Sequence, residues 1–240
     1  MNLCRDVECS ITWPTLIKGV LIRRYKRFLA DVMLEDGGLV TAHCPNSGSM
    51  KGCSEPGRPI YLSMHNNPRR KLAYTWEIID MGTSLVGINT LVPNKLVKRC
   101  IACGAIDGLK GYKEIRTEVA YADHSRIDIL LQDEEELCYV EVKNCTLVED
   151  GTALFPDAVT IRGLKHLLDL QEEIKRGNRA VMFYLVQRMD AKRFAPADMI
   201  DPAYGEQLRR AVNQGLEIFV YDAYLDLEKV HLNRELPVIL

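Results

Sequence analysis

The sequence carries almost no excess charge: 31 Lys and Arg stand against 33 Asp and Glu, a formal net of −2. A chain basic throughout, built to coat nucleic acid by charge alone, is excluded. Long apolar runs are also missing, so no stretch spans a membrane. The N-terminal MNLCRDVECS has acidic residues and no hydrophobic core segment, unlike a secretory leader. The expected location is cytoplasmic. There the eight cysteines are expected to be mostly reduced thiols. Cys100 and Cys103 form one Cys-x-x-Cys, and Cys4 with Cys9 a looser pair. A zinc site needs a second close pair at a familiar spacing, which the chain lacks. Internal repeats, low-complexity segments and a helix-turn-helix with a basic recognition helix are absent as well.

What is present is length and a hidden asymmetry. With 240 residues and 47% hydrophobic content the chain can bury one large or two small cores. Through Leu96 there are 12 Lys and Arg against 8 Asp and Glu, a net of +4; the remainder has 19 against 25, a net of −6. A basic front and an acidic back suggest different tasks. The front reads as short strands: 15–24, 27–34, 39–43, 60–64, 72–81 and 85–88, with Asp36-Gly37-Gly38 as a hairpin turn. About 90 residues of such strands predict a small closed barrel, an OB-fold by first choice, over residues 1–88. Its basic residues cluster as Arg23, Arg24, Lys26, Arg27 and as Arg69, Arg70, Lys71, with Tyr25, Phe28, Tyr74 and Trp76 interleaved. Cations beside aromatics suit phosphate attraction and base stacking, so these seven basic residues are the expected nucleic-acid contacts. The aromatics fit the barrel core equally well.

Residues 89–240 read as a mixed α/β domain: a helix near 95–101, a strand at 113–121, a hairpin at 125–143, a helix from about 160 to Gly177, a buried strand at 179–188, a helix at 206–213 and a strand at 216–221. The hairpin SRIDILLQDEEELCYVEVK is the centre of interest. Its second strand alternates, so Glu141 and Lys143 share one face while Val140 and Val142 enter the core. The pairing brings Asp128 beside Glu141. Two carboxylates with a neighbouring amine suit a hard cation, Mg²⁺ or Mn²⁺. Glu118 is a further candidate metal ligand. On the following helix Ile161, Leu164, Leu167, Leu168 and Ile174 recur at helical spacing. Arg162, His166 and Asp169 share another face, directed at the metal site or at water. Arg162 is a candidate nucleic-acid contact, and Gln187, ending the buried strand, a candidate catalytic residue.

The Asp128…Glu141-x-Lys143 spacing resembles the signature of the restriction-endonuclease-like superfamily. Further stretches, AHCPNSGSM from Ala42, VGINT from Val86 with Pro93-Asn94, SRID from Ser125, EVKN from Glu141, FPDAVT from Phe155, RGLKHL from Arg162 and VQR from Val186, resemble the SfsA family (sugar fermentation stimulation protein A) in order along nearly the whole chain. The resemblance implies an OB-like barrel followed by a nuclease-like domain, DNA binding, and a regulatory link to sugar (maltose) use. Where the family pattern has Thr and Arg, this chain has Ser47 and Ser49; the hydroxyl is kept and a guanidinium is lost. Two functions follow as expectations: a Mg²⁺- or Mn²⁺-dependent nuclease, with Asp128, Glu141, Lys143 and Gln187 at the site, or a DNA-binding regulator that keeps the fold without cleaving. DNA is expected before RNA. The sequence does not give the oligomeric state.

Overall fold

The structure is a computed structural model that describes residues 9–122, 125–134 and 136–240. Cys4 and Glu135, the latter in the acidic turn of the hairpin, lie outside the described residues. The described residues start not in the barrel but at the far edge of the second sheet: β1 (Ser10–Thr12) pairs antiparallel with β16 (Lys229–Glu235). The expected first-domain span of 1–88 therefore contains a strand of the other sheet. Trp13, expected in no particular place, packs in the core of that sheet.

The barrel follows. Strands β2 (Leu16–Tyr25), β3 (Leu29–Leu34), β4 (Leu39–His43), β5 (Pro59–Met64) and β6 (Tyr74–Asp80) lie in the order β4-β3-β2-β5-β6, and β4 also pairs with β6, which closes the ring. Closure removes both sheet edges. β7 (Leu85–Gly87) adds to the outside of β6. Alternation fills the interior with Ala30, Val32, Ala42, Leu62 and Trp76, so Trp76 is core, not a stacking platform.

Helix α1 (Val92–Ala102) opens the second domain with Pro93 in its first turn, where a missing N–H costs nothing. Strands β8 (Glu114–Ala122), β9 (Ser125–Gln132) and β10 (Leu137–Cys145) form an antiparallel meander. Next come β11 (Leu147–Glu149), β12 (Thr152–Phe155), α2 (Ile161–Lys175), β13 (Arg179–Val186), β14 (Arg193–Pro196), α3 (Pro202–Asn213) and β15 (Glu217–Leu225). The large sheet runs β1-β16-β15-β13-β10-β9-β8, with β10, β13 and β15 parallel at its centre. β11, β12 and β14 make a small side sheet. The central β13 is buried on both faces, as an unbroken apolar run requires. One face packs α1 and barrel residue Ile78; the other packs α2 and α3. The expected order of helix, three strands, helix, strand, helix, strand is present, with β11 and β12 inserted before α2, β14 before α3 and β16 after β15. The OB-like barrel followed by an α/β domain is observed too.

Two details go beyond the expectations. Cys9 and Cys103 form a disulfide, with Cα atoms 6.4 Å apart, while the other five described cysteines are free, in line with mostly reduced thiols. Pairing of β1 with β16 lays Cys9 over the C-terminal turn of α1, a contact no sequence spacing announces. And the apolar set expected on α2 is buried only in part: Leu167 is buried and Ile174 packs against the core, whereas Ile161 is 84% exposed and Leu168 48%, and His166, Leu170, Gln171 and Glu173 are buried.

Candidate metal and nucleic-acid site

The site begins where the β9–β10 ladder stops. The pairing runs from Leu137–Gln132 to Val140–Ile129; the next opposed residues are Glu141 and Asp128. There the strands part, and the Asp128 side chain takes over from the ladder: Oδ2 accepts the Val142 N–H at 2.8 Å, and Oδ1 accepts from Asn94 Nδ2 of α1 at 2.7 Å. The fork exposes two acids to one another. Burial first, then the Glu141 charge, push the Asp128 carboxyl up to about 6. Burial also works against ionised Glu141, yet the Lys143 ammonium and His166 hold its carboxyl below the ordinary range.

Glu141 is only 2% exposed, and its two oxygens are treated differently. Oε1 accepts from Lys143 Nζ at 2.6 Å and from His166 Nδ1. The other His166 nitrogen, Nε2, accepts from Arg162 Nε at 3.3 Å. That assigns the imidazole proton to Nδ1, pointing at Glu141. Oε2 is buried with no hydrogen-bond partner. A buried carboxylate oxygen left bare is costly, and a native structure normally fills such a position with a donor or an ion.

α2 supplies this arrangement. Thr160 caps it by accepting the Gly163 N–H at 3.0 Å, which fixes the first turn and places His166 one turn later over Glu141. Beside the fork, Thr90, Leu91, Asn94, Lys95, Lys98, Thr117, Glu118 and Asp128 line a cavity of about 300 Å³.

The other expected site residues are distributed as follows. Glu118 is exposed, in a left-handed conformation (φ 55°), and lies across from Asp128 on the rim of the cavity. It does not complete a ligand set: among the described residues no three His, Cys, Asp or Glu side chains are grouped to hold a metal ion. Gln187 is fully buried at the domain junction, donating to Asn144 Oδ1 at 2.8 Å and to the Asn89 carbonyl at 3.3 Å. It follows the β13 residues that face α1 and the barrel, whereas Glu141 and Lys143 face α2. Arg162 reaches the site only through His166.

On the barrel, Arg24 spends its donors on the carbonyls of Arg27, Asn46, Gly48 and Ser49. It shapes that loop from within. Arg23 pairs with Asp31 at 2.8 Å, and Arg70 donates to Thr75. Lys26, Arg27, Arg69 and Lys71 are exposed. Ser49, where the resemblance led to an expected Arg, donates its hydroxyl to Asp157 across the domain junction. His166 was foreshadowed by its helical spacing with Arg162 and Asp169, on a face directed at the metal site or at water. Asn94 is the contributor whose role sequence reasoning missed, and no local signal marked it.

Comparison with known proteins agrees along the whole length. The family domain described as "Sugar fermentation stimulation protein RE domain" matches residues 91–229, and "SfsA N-terminal OB domain" matches 22–88. A "Sugar fermentation stimulation protein homolog" of Geotalea daltonii is 56% identical, covering 95% of this chain and 98% of that one. Its counterpart from Geobacter sulfurreducens is 55% identical over 93% and 96%. Among solved structures, Pyrococcus furiosus SfsA in complex with Ca²⁺ superposes with a TM-score of 0.89 at 24% identity, over 96% of this chain and 98% of that one, which establishes the shared fold. With both domains matched in order and relatives above half identity, the chain belongs to the SfsA family.

Proposed function

We propose that this protein is a phosphodiesterase acting on nucleic acid, DNA before RNA, with Mg²⁺ or Mn²⁺ held by Asp128 and Glu141. The observation that carries the reading is Glu141 Oε2: a buried, partnerless carboxylate oxygen beside a second acid whose ionisation it opposes. A divalent cation satisfies both at once. Two carboxylates with the Val142 carbonyl are an all-oxygen donor set, and Mg²⁺ commonly uses only one or two carboxylates, leaving positions for water and phosphate oxygens. The Ca²⁺ bound by the Pyrococcus furiosus relative is a hard cation of the same preference.

Such an ion, when bound, polarises a phosphodiester and lowers the pKa of a coordinated water. The chain's own groups do the rest. Lys143 Nζ, fixed by Glu141 Oε1, directs N–H bonds at an attacking water or at the charge that develops on the phosphate. His166 keeps Glu141 oriented, and Asn94 with the Val142 N–H keeps Asp128 oriented. Lys26, Arg27, Arg69 and Lys71 attract the backbone of the polynucleotide, which runs along the junction past Lys95 and Lys98. Action on DNA fits the expected cytoplasmic location, and the name of the family supports a link to regulation of sugar use.

The test is incubation of labelled DNA and RNA with the protein and Mn²⁺, against a chelator control and Lys143→Ala. Cleavage that needs the metal and is lost in Lys143→Ala supports the reading. Binding by wild type with no cleavage of any substrate overturns it and leaves a non-catalytic DNA-binding regulator. Replacing Arg69 and Arg70 with Ala should weaken binding and flatten its dependence on salt by about one to two counterions. An unchanged salt slope removes the barrel as the docking surface.

A further inference from the structure

A second polar site lies on the outer wall of the barrel, beside the two acids. Register places His43, Thr75 and Ser63 in one row across β4, β6 and β5. Their neighbours Ala42, Trp76 and Leu62 fill the barrel, so this row faces out, toward the second domain. It is nevertheless buried: Ser63 is fully buried, Thr75 4% exposed and Glu77, one step along β6, 5%. The N-terminal segment around Trp13 and the start of α1 roof it over, leaving a cavity of about 370 Å³. Four basic side chains line that cavity: His43, His65, Arg70 and Lys95.

The groups are built in rather than loosely gathered. Arg70 is docked by Nη2 on Thr75 Oγ1 at 2.9 Å. Burial, then the Arg70 charge, hold the His43 ring below its ordinary range, so the ring is close enough to feel the guanidinium. Ser63 donates its hydroxyl to Glu77 at 2.6 Å, which leaves the Ser63 oxygen to accept from His65 Nε2 at 3.2 Å. Asn89 donates to the other Glu77 oxygen at 2.7 Å. Glu77 is thus a buried carboxylate on neutral donors, with lone pairs left to accept more. The cavity offers cationic donors, one fixed carboxylate acceptor and an apolar wall of Trp13, Pro14 and Leu91.

That combination selects a ligand. Inorganic phosphate uses the cations and is opposed by the carboxylate. A nucleotide uses both: phosphate on Arg70 and Lys95, sugar hydroxyl or base N–H on Glu77, base against the apolar wall. The volume suits one nucleotide. A terminal phosphate carries nearly two charges at neutral pH against one for an internal diester, and so gains more from paired cations. Leu91 and Lys95 line both this cavity and the one holding Asp128, so a residue seated here lies next to the acids.

We propose that this cavity binds the terminal, phosphate-bearing nucleotide of a nucleic-acid strand and so sets the strand end against the Asp128–Glu141 site. The proposal rests on the nucleic-acid reading above and names its substrate class: strand ends in preference to continuous duplex. The experiment measures binding, in chelator, of labelled oligonucleotides identical except for a 5′-phosphate, a 3′-phosphate or hydroxyls at both ends. A phosphate at one end should tighten binding about tenfold or more. Arg70→Ala should remove that advantage. Lys95→Ala, exposed on α1 and harmless to folding, should reduce it severalfold if Arg70→Ala proves unfolded. Competition by a nucleoside monophosphate should exceed competition by inorganic phosphate at equal concentration. Equal affinity of all three oligonucleotides overturns the proposal and leaves metal-dependent cleavage untouched. An end preference without any cleavage upholds it and overturns the hydrolase. Equal competition by inorganic phosphate reduces the cavity to an anion hole and overturns the nucleotide assignment.

Discussion

Asp128 illustrates what a metal-ready site does to the protein without its metal. Its folded-state pKa of about 6 lies above the unfolded value near 3.8. A raised carboxyl pKa means the folded state binds the proton more tightly, so this group lowers stability as pH rises between the two values. The penalty is absent below pH ~4 and complete above pH ~6, with an upper bound of about 3 kcal/mol. Asp128→Asn, which keeps an acceptor for Asn94 or Val142, should therefore raise Tm in chelator at pH 7 and lose that advantage at pH 4; thermal unfolding across that range is the measurement. Added Mn²⁺ should raise Tm of the wild type and not of the variant. His166 has the opposite character, since it stabilises the ionised neighbour. His166→Ala leaves Glu141 with Lys143 alone at Oε1 and should weaken Mn²⁺ affinity about 10–100-fold by calorimetry, the usual size of such supporting contacts.

The elements show why parts of this were legible and parts not. Helix α2 meets α3 through Gly163: a Cβ there would come within 2.7 Å of Thr160 Cγ2 and 3.2 Å of Tyr204 Cε2. Ala is the better helix former by about 1 kcal/mol, but here the added methyl strikes the helix cap and the neighbouring helix. Overpacking of that kind costs about 1–3 kcal/mol. Gly163→Ala should thus destabilise by chemical denaturation and, by shifting the turn that carries His166, also weaken Mn²⁺ binding. Local sequence could not show this, because the close approach is tertiary. The hairpin was readable because period-two alternation and an acidic turn are local, and it placed Asp128, Glu141 and Lys143 together. Part of the expected apolar set on α2 misled: Ile161 and Leu168 repeat at helical spacing but lie outward, while the sheet below presents Glu141 and Lys143, so His166 turns inward; buried Glu173 is held by Arg176 and Asn178. Strands β1, β11, β12, β14 and β16 went unseen for a related reason. Three or four residues carry no period, and β16 pairs with partners more than two hundred positions upstream in β1.

At the scale of the whole molecule, the two domains are joined by side chains that the sequence marked for other work. Ser49 Oγ and the Met50 N–H both reach Asp157, at 2.7 Å to its carbonyl and 2.9 Å to Oδ2. Arg24 holds the same loop from the barrel side, and Gln187 ties Asn89 to Asn144. The cavities at the two candidate sites share Leu91 and Lys95 along this seam, so both candidate sites depend on the domains keeping one orientation. The two tryptophans permit a direct test. Trp76 lies in the barrel core and Trp13 in the core of the large sheet. Trp13→Phe and Trp76→Phe each leave a single reporter for one domain. With the junction intact, both should unfold at one denaturant midpoint, as a cooperative unit does. Asp157→Ala removes the acceptor of Met50 N–H and should cost about 1–3 kcal/mol, moving the Trp76 transition to lower denaturant while the Trp13 transition stays behind. Coincident transitions in the Asp157→Ala background would mean that Gln187 and the packing of Ile78 against the second core suffice, and that the Asp157 clamp positions the loop without coupling the domains.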